Sequence, residues 1–174
     1  MMNLLVTCAR HLEGDTEDEL IDILDKLGDS NVKILVSSMS GIITVETKLE
    51  PIEVVRKIKE MILDEPWSIR YCLRIIPIQK AVKTNIEEIE KTICSMSDQI
   101  EKKESYRILI EKRNSDISSK EIITKIANGI KNEVSLDFPD KVILIEILGI
   151  VTGISILKKS DMLSLEKTKR SMSD

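Results

Sequence analysis

Residues 106–157 read YRILIEKRNSDISSKEIITKIANGIKNEVSLDFPDKVILIEILGIVTGISIL, and the spacing of their apolar side chains changes twice. From Tyr106 to Lys112 the residues alternate with the period of two that defines a strand. Ser118 and Glu121 then form an S-x-x-E capping box, after which Ile122, Ile123, Ile126, Ile130 and Val134 predict a helix with those side chains inward. Val142 to Leu148 and Gly153 to Leu157 return as β-branched runs joined by a short turn at Gly149 to Thr152. The order strand, helix, strand, strand predicts an α/β layer.

Toward the start of the chain the same reading continues. Thr84 and Glu87 form another capping box, with Ile86, Ile89, Ile93, Met96 and Ile100 on the buried side of a helix and Glu101 to Ser105 a solvated connection. Asn3 to Ala9 is a strand, followed by a turn at Glu13-Gly14-Asp15. A helix with a Thr16–Glu19 capping box comes next: Leu20, Ile23, Leu24 and Leu27 are its apolar face and Gly28 its stop. Glu17, Asp18 and Glu19 suit the positive end of that helix dipole and need no functional explanation. Val32 to Ser37 and Ile42 to Thr47 form a hairpin over Met39-Ser40-Gly41. Pro51 opens a second helix with Val54, Val55, Ile58, Met61 and Ile62 inward, and Pro66 marks its end. A strand over Ile69 to Ile78 either completes a β-α-β-β-α-β series of the ferredoxin-like kind or belongs to the second half of the chain. The expected fold is therefore α+β, a ferredoxin-like domain over residues 1–66 packed against an α/β domain over 67–160, with 161–174 a polar tail.

A length of 174 residues allows two small domains and excludes a large multidomain enzyme. With 42% hydrophobic and 32% charged residues the chain can bury a core and is not a disordered tail. Isoleucine fills 29 positions, whereas the aromatics are only Trp67, Tyr71, Tyr106 and Phe138, which argues against extensive base stacking. Cys8, Cys72 and Cys94 form no C-x-x-C, so neither structural zinc nor a disulfide framework is expected, in keeping with a reducing cytoplasm. No signal peptide is visible, and the apolar stretch Val142 to Leu157 is too short and too interrupted to span a bilayer.

Catalytic signatures are missing from the pattern. His11 is the single histidine and has no nucleophile elbow or metal-ligand spacing around it, so it reads as a surface residue. The glycines never fall into a nucleotide- or coenzyme-binding loop. No cofactor is expected, nor an enzyme acting alone.

Charge is more informative when divided. Residues 1–66 carry a net −7 and residues 67–174 a net +3, within a total of −4. Trp67 to Thr84 holds Arg70, Arg74, Lys80 and Lys83 and no acid. If that segment is a strand, Arg70 and Arg74 share a face with Cys72, while Tyr71, Leu73 and Ile75 are buried. Lys112-Arg113-Asn114 lies just before the helix capped by Ser118, whose free N–H groups at Ser118 to Lys120 and positive dipole end suit a phosphate. Lys158-Lys159, after the last strand, either serves the same purpose or is ordinary surface charge.

The run Tyr106 to Leu157 resembles a THUMP domain, an RNA-binding module of tRNA-modifying enzymes. The strand ending in K-R-N, the S-x-K-E helix start, the V-x-L-D-x-P loop from Val134 to Pro139, the strand V-x-L-I-E-I and the closing G-I-S-I-L carry the resemblance. Earlier segments, N-L-L-V-T-C-A-R at Asn3 to Arg10, E-P-W-S-I-R-Y at Glu65 to Tyr71 and L-R-I-I-P at Leu73 to Pro77, resemble the stand-alone archaeal THUMP proteins related to the eukaryotic adaptor for tRNA cytidine acetylation. The resemblance implies a non-catalytic cytoplasmic adaptor that holds the acceptor stem and 3′ end of tRNA for a separate RNA cytidine acetyltransferase, with neither membrane nor DNA as a partner. It implies RNA contact at Lys112, Arg113, Asn114, Ser119 and Lys120, and extends to Arg70 and Arg74. Two alternatives stay open: a THUMP subunit for another tRNA modification, such as methylation or thiolation, and a ferredoxin-like small-ligand regulatory module without RNA.

Overall fold

A computed structural model describes residues 1–172 of the chain. In chain order the elements are β1 (Leu4–Thr7), α1 (Glu13–Leu27), β2 (Lys33–Val36), β3 (Ile42–Glu46), α2 (Pro51–Asp64), β4 (Arg74–Pro77), β5 (Lys80–Lys83) and α3 (Ile86–Ser95). They continue with β6 (Tyr106–Arg113), α4 (Ser119–Gly129), β7 (Lys141–Leu148), β8 (Val151–Leu157), β9 (Leu163–Ser164) and α5 (Leu165–Met172). They separate into a first unit, Met1–Ile78 with the segment from Ser160 onward, and a second unit, Gln79–Lys159.

The first unit has one antiparallel sheet in the order β2-β3-β1-β4-β9. Its first four strands and α1 and α2 make the ferredoxin-like β-α-β-β-α-β arrangement. Alternation decides the core: Leu4 and Val6 of β1 stand between Val45 and Ile43 of β3 and, on the other side, Ile75 of β4, and all are buried. Leu20 and Leu24 of α1 and Val55, Ile58 and Ile62 of α2 close over that face. Gly41 in the hairpin has φ +75°, and a Cβ there would lie 2.6 Å from the Cys8 carbonyl oxygen, so the turn requires glycine.

The second unit has a sheet in the order β5-β8-β7-β6, with β6 and β7 parallel and the other pairs antiparallel. The crossover from β6 to β7 runs through α4. Its core is largely isoleucine: Ile143, Ile145 and Ile147 of β7 and Ile154 and Ile156 of β8 pack with Ile89 and Ile93 of α3 and Ile122 and Ile126 of α4.

Several expectations change. The division falls between Ile78 and Gln79 instead of Pro66 and Trp67, because β4 is zipped along β1 from Arg74 to Pro77 and belongs to the first sheet. The tail is not separate: Leu163 pairs with Ile75, the Leu165 N–H donates to the Leu73 carbonyl, and Leu163 and Leu165 are buried in the first core. Ser173 and Asp174, the end of that tail, lie outside the described residues. With these limits the first unit carries 12 basic and 17 acidic side chains, net −5, and the second 14 and 13, net +1, a weaker contrast than the earlier division suggests.

The strand expected over Ile69 to Ile78 is also shorter. Only Arg74–Pro77 is extended and paired, so Arg70 and Arg74 do not share a strand face, and it is Cys72 that is fully buried while Leu73 is exposed. Helix α1 starts at Glu13, and the Thr16 hydroxyl donates back to the Leu12 carbonyl instead of capping. The cap of α3 is Asn85, which accepts from Glu88 N–H, one residue beyond the expected Thr84. Val134 lies beyond α4, bridged to Tyr106 and exposed, and Ile123 is exposed on α4 itself.

Candidate nucleic-acid interface

Strand β6 ends at Arg113, and Asn114 turns the chain with φ +55°. The next turn is tied by Ser115, whose Oγ accepts the Ile117 N–H at 3.3 Å, and Ser118 caps α4 by accepting the Glu121 N–H at 3.2 Å. This cap is the one read from the sequence, and it exposes the positive end of α4 beside the carboxyl ends of the parallel strands β6 and β7. Two further segments reach the same end of the sheet. The Gly149 N–H of the β7–β8 turn donates to the Arg113 carbonyl at 2.9 Å, and the Thr84 N–H after β5 donates to the Ile150 carbonyl at 2.9 Å. Thr84 and Thr152 share a hydroxyl hydrogen bond of 2.8 Å. The three segments thus form one hydrogen-bonded rim around an open cleft of about 590 Å³, lined by Lys83, Thr84, Asn114, Ser115, Asp116 and Ile150 among others.

The expected contact residues are divided by this geometry. Lys112 is exposed, and its ammonium donates to the Ile117 carbonyl at 2.9 Å, which holds the charge over the turn before α4. Arg113 instead turns inward, its guanidinium 3.0 Å from the Glu146 carboxylate. Glu146 is 0% exposed and Arg113 27%, so this arginine first compensates a buried charge. Asn114 and Lys120 are exposed and Ser119 is half-buried, all at the corner. Lys158 and Lys159 do not join it: Leu157 pairs with Val142 at the far end of the sheet from Arg113 and Leu148. Arg70 and Arg74 belong to the first unit.

Lys83 is the residue that spacing arguments passed over. It sits at the end of β5, opposite Val151, and so at the same sheet end as Arg113. The acid-free run before Thr84 was its signal, but only pairing of β5 with β8 shows where it goes. Lys83 and Lys120 form no ion pair among the described residues. Asp116 lines the cleft as well, so the lining is mixed in charge, with Lys83 as its cation.

Residues 83–157 match the THUMP domain family, and the chain therefore carries a THUMP domain. The match spans the corner from Lys83 through Asn114 to Ile150. None of the curated proteins matches the chain. Among solved structures, it is similar to PH1313 from Pyrococcus horikoshii, with a TM-score of 0.66, 20% identity, and coverage of 91% of this chain and 55% of that one. It is similar to TrmN from Thermus thermophilus, with a TM-score of 0.60, 13% identity, and coverage of 90% and 45%. A 4-thiouridine synthetase solved with RNA and bound ATP gives a TM-score of 0.56, 14% identity, and coverage of 91% and 42%. The chain thus spans about half the length of these proteins, and the likeness is one of fold. Among the described residues no helix is long and apolar enough to cross a membrane.

Proposed function

We propose that this chain is a non-catalytic tRNA-binding adaptor that presents tRNA, by its acceptor stem and 3′ end, to a separate acetyltransferase forming acetylcytidine in the cytoplasm. The observation that carries the RNA part is the coincidence of the THUMP match with the corner at the N-terminus of α4, where Lys83, Lys112 and Lys120 are exposed. Phosphate oxygens would meet the free N–H groups of that helix with Lys83, Lys112 and Lys120 around them, a recognition mode that reads backbone and shape. The acetylation part rests on the resemblance of Glu65 to Tyr71 and of Leu73 to Pro77 to the adaptor family.

Filter binding of total tRNA at several salt concentrations tests the first part. Affinity that falls steeply with salt supports it, and no retention of tRNA at low salt sinks it. Mass spectrometry of tRNA nucleosides from a deletion strain tests the second, with loss of acetylcytidine expected. A second reading, a THUMP subunit for thiolation or methylation, draws for thiolation on the fold shared with the 4-thiouridine synthetase. It predicts unchanged acetylcytidine and loss of a thiolated or methylated nucleoside in the same experiment.

A further inference from the structure

We propose that the ferredoxin-like unit carries a second RNA contact: a platform at Trp67 that stacks an unpaired nucleobase of a single-stranded RNA segment, with Arg70, three residues on, for the adjoining phosphate. This inference rests on the tRNA-binding reading and extends it to another unit and another chemistry.

Trp67 is the single tryptophan, and it stands 70% exposed on the short 3-10 turn Pro66–Ser68. The turn itself is not loose. Its Ser68 N–H donates to the Glu65 carbonyl at 2.9 Å, and the next residue, Ile69, is fully buried in the core. The indole is therefore held outward by an anchored backbone, so little conformational entropy is lost when a flat partner covers it. Three residues on, Arg70 is exposed, forms no ion pair among the described residues, and lays its guanidinium 5.8 Å from the centroid of the Tyr71 ring. Indole, guanidinium and phenol thus fall within five residues of an acid-free run.

Glu19 fixes this segment from α1. Its Oε1 accepts the Arg70 N–H at 2.5 Å, and its Oε2 accepts those of Tyr71 and Cys72 at 3.0 and 2.9 Å. The carboxylate that reaches the segment is thus turned toward backbone N–H groups, and the Arg70 cation stays available. An exposed indole three residues from an available cation suits a base carrying its own phosphate: every base offers a π-face, and arginine can meet the phosphate while its stem lies along a ring. A protein partner would be served by the indole but would need an acidic group for Arg70 as well.

Because Trp67 is the single tryptophan, fluorescence excited at the red edge of indole absorption, where Tyr71 and Tyr106 absorb little, reports on this position alone. The chain is titrated with total tRNA, with a short oligouridylate and with a blunt RNA duplex, and filter binding on the same samples measures occupancy. Quenching by tRNA and oligouridylate but not by the duplex is expected, together with a loss of about tenfold in oligouridylate affinity in Trp67→Ala and partial recovery in Trp67→Tyr. Unchanged fluorescence at full tRNA occupancy, or equal quenching by the duplex, overturns the platform and leaves the tRNA-binding reading intact; the indole would then face a protein. No occupancy by tRNA overturns both.

Discussion

The guanidinium of Arg113 lies 3.0 Å from the carboxylate of Glu146, a side chain with no exposed surface. The parallel register sets Glu146 directly opposite Glu111, and Arg113 reaches it diagonally from the same face of β6. A residue that reads as an RNA contact is thus part of what lets β6 and β7 lie side by side. Arg113→Ala should destabilise the fold by about 3–5 kcal/mol, the usual consequence of taking one partner from a buried pair. Urea denaturation measures this, and a change below about 0.5 kcal/mol, the range of ordinary surface substitutions, would remove the structural role.

The exposed cations of the corner should behave in the opposite way. Replacing Lys83, Lys112 and Lys120 by Ala together should leave the urea midpoint close to that of the parent chain, since all three are exposed. The same variant should bind tRNA more weakly and lower the slope of log affinity against log salt by about two to three. An unchanged slope would mean that phosphates are bound elsewhere.

Gly41 tests the first unit. A methyl group there meets the Cys8 carbonyl oxygen and must adopt φ +75°, so Gly41→Ala should cost more than about 1 kcal/mol. Gly14, where a Cβ meets nothing within 4 Å, is the control, and Gly14→Ala should be neutral or stabilising in the same thermal melt.

Asp29 gives the first unit a pH dependence. Its carboxylate accepts the Thr47 hydroxyl at 2.5 Å and the backbone N–H groups of Lys48 and Asn31 at 3.0 Å each. The Thr47 hydrogen bond first, then those from Lys48 and Asn31, hold its pKa below the ordinary value against the opposing effect of burial. A pKa lowered by folding means stability that is fully present above the unfolded value, about 3.9, and lost as pH falls through the folded one. Asp29→Asn should therefore destabilise the chain at neutral pH, and its deficit in urea midpoint should shrink as pH is lowered below about 4. A deficit constant with pH would rule this out.

What could be read from the sequence was local. Ser118 and Glu121 cap α4 as their spacing implies, because the whole interaction lies within four residues. Thr16 and Glu19 have the same spacing, but Glu19 reaches the backbone 51 to 53 positions away, which no pattern within a helix can reveal. Strand β5 is only Lys80–Lys83 and is extended because β8 lies beside it, so its four residues carry too little alternation to announce it. At the site, the helix start and the cations around it were legible. The inward turn of Arg113 was not, since it depends on a parallel register that brings together two side chains 33 residues apart.

The return of the chain through β9 makes the THUMP-bearing unit an insertion. The polypeptide leaves the first unit after Ile78, returns to it at Ser160 and rejoins its sheet at Leu163, and the strands on either side of that excursion are hydrogen-bonded neighbours. The first unit therefore cannot be completed until some eighty further residues have been made, and during synthesis β4 waits with an open edge. By the same topology the excursion starts and ends at one end of a two-stranded ladder, so a short turn joining Ile78 to Ser160 would restore a continuous ferredoxin-like unit.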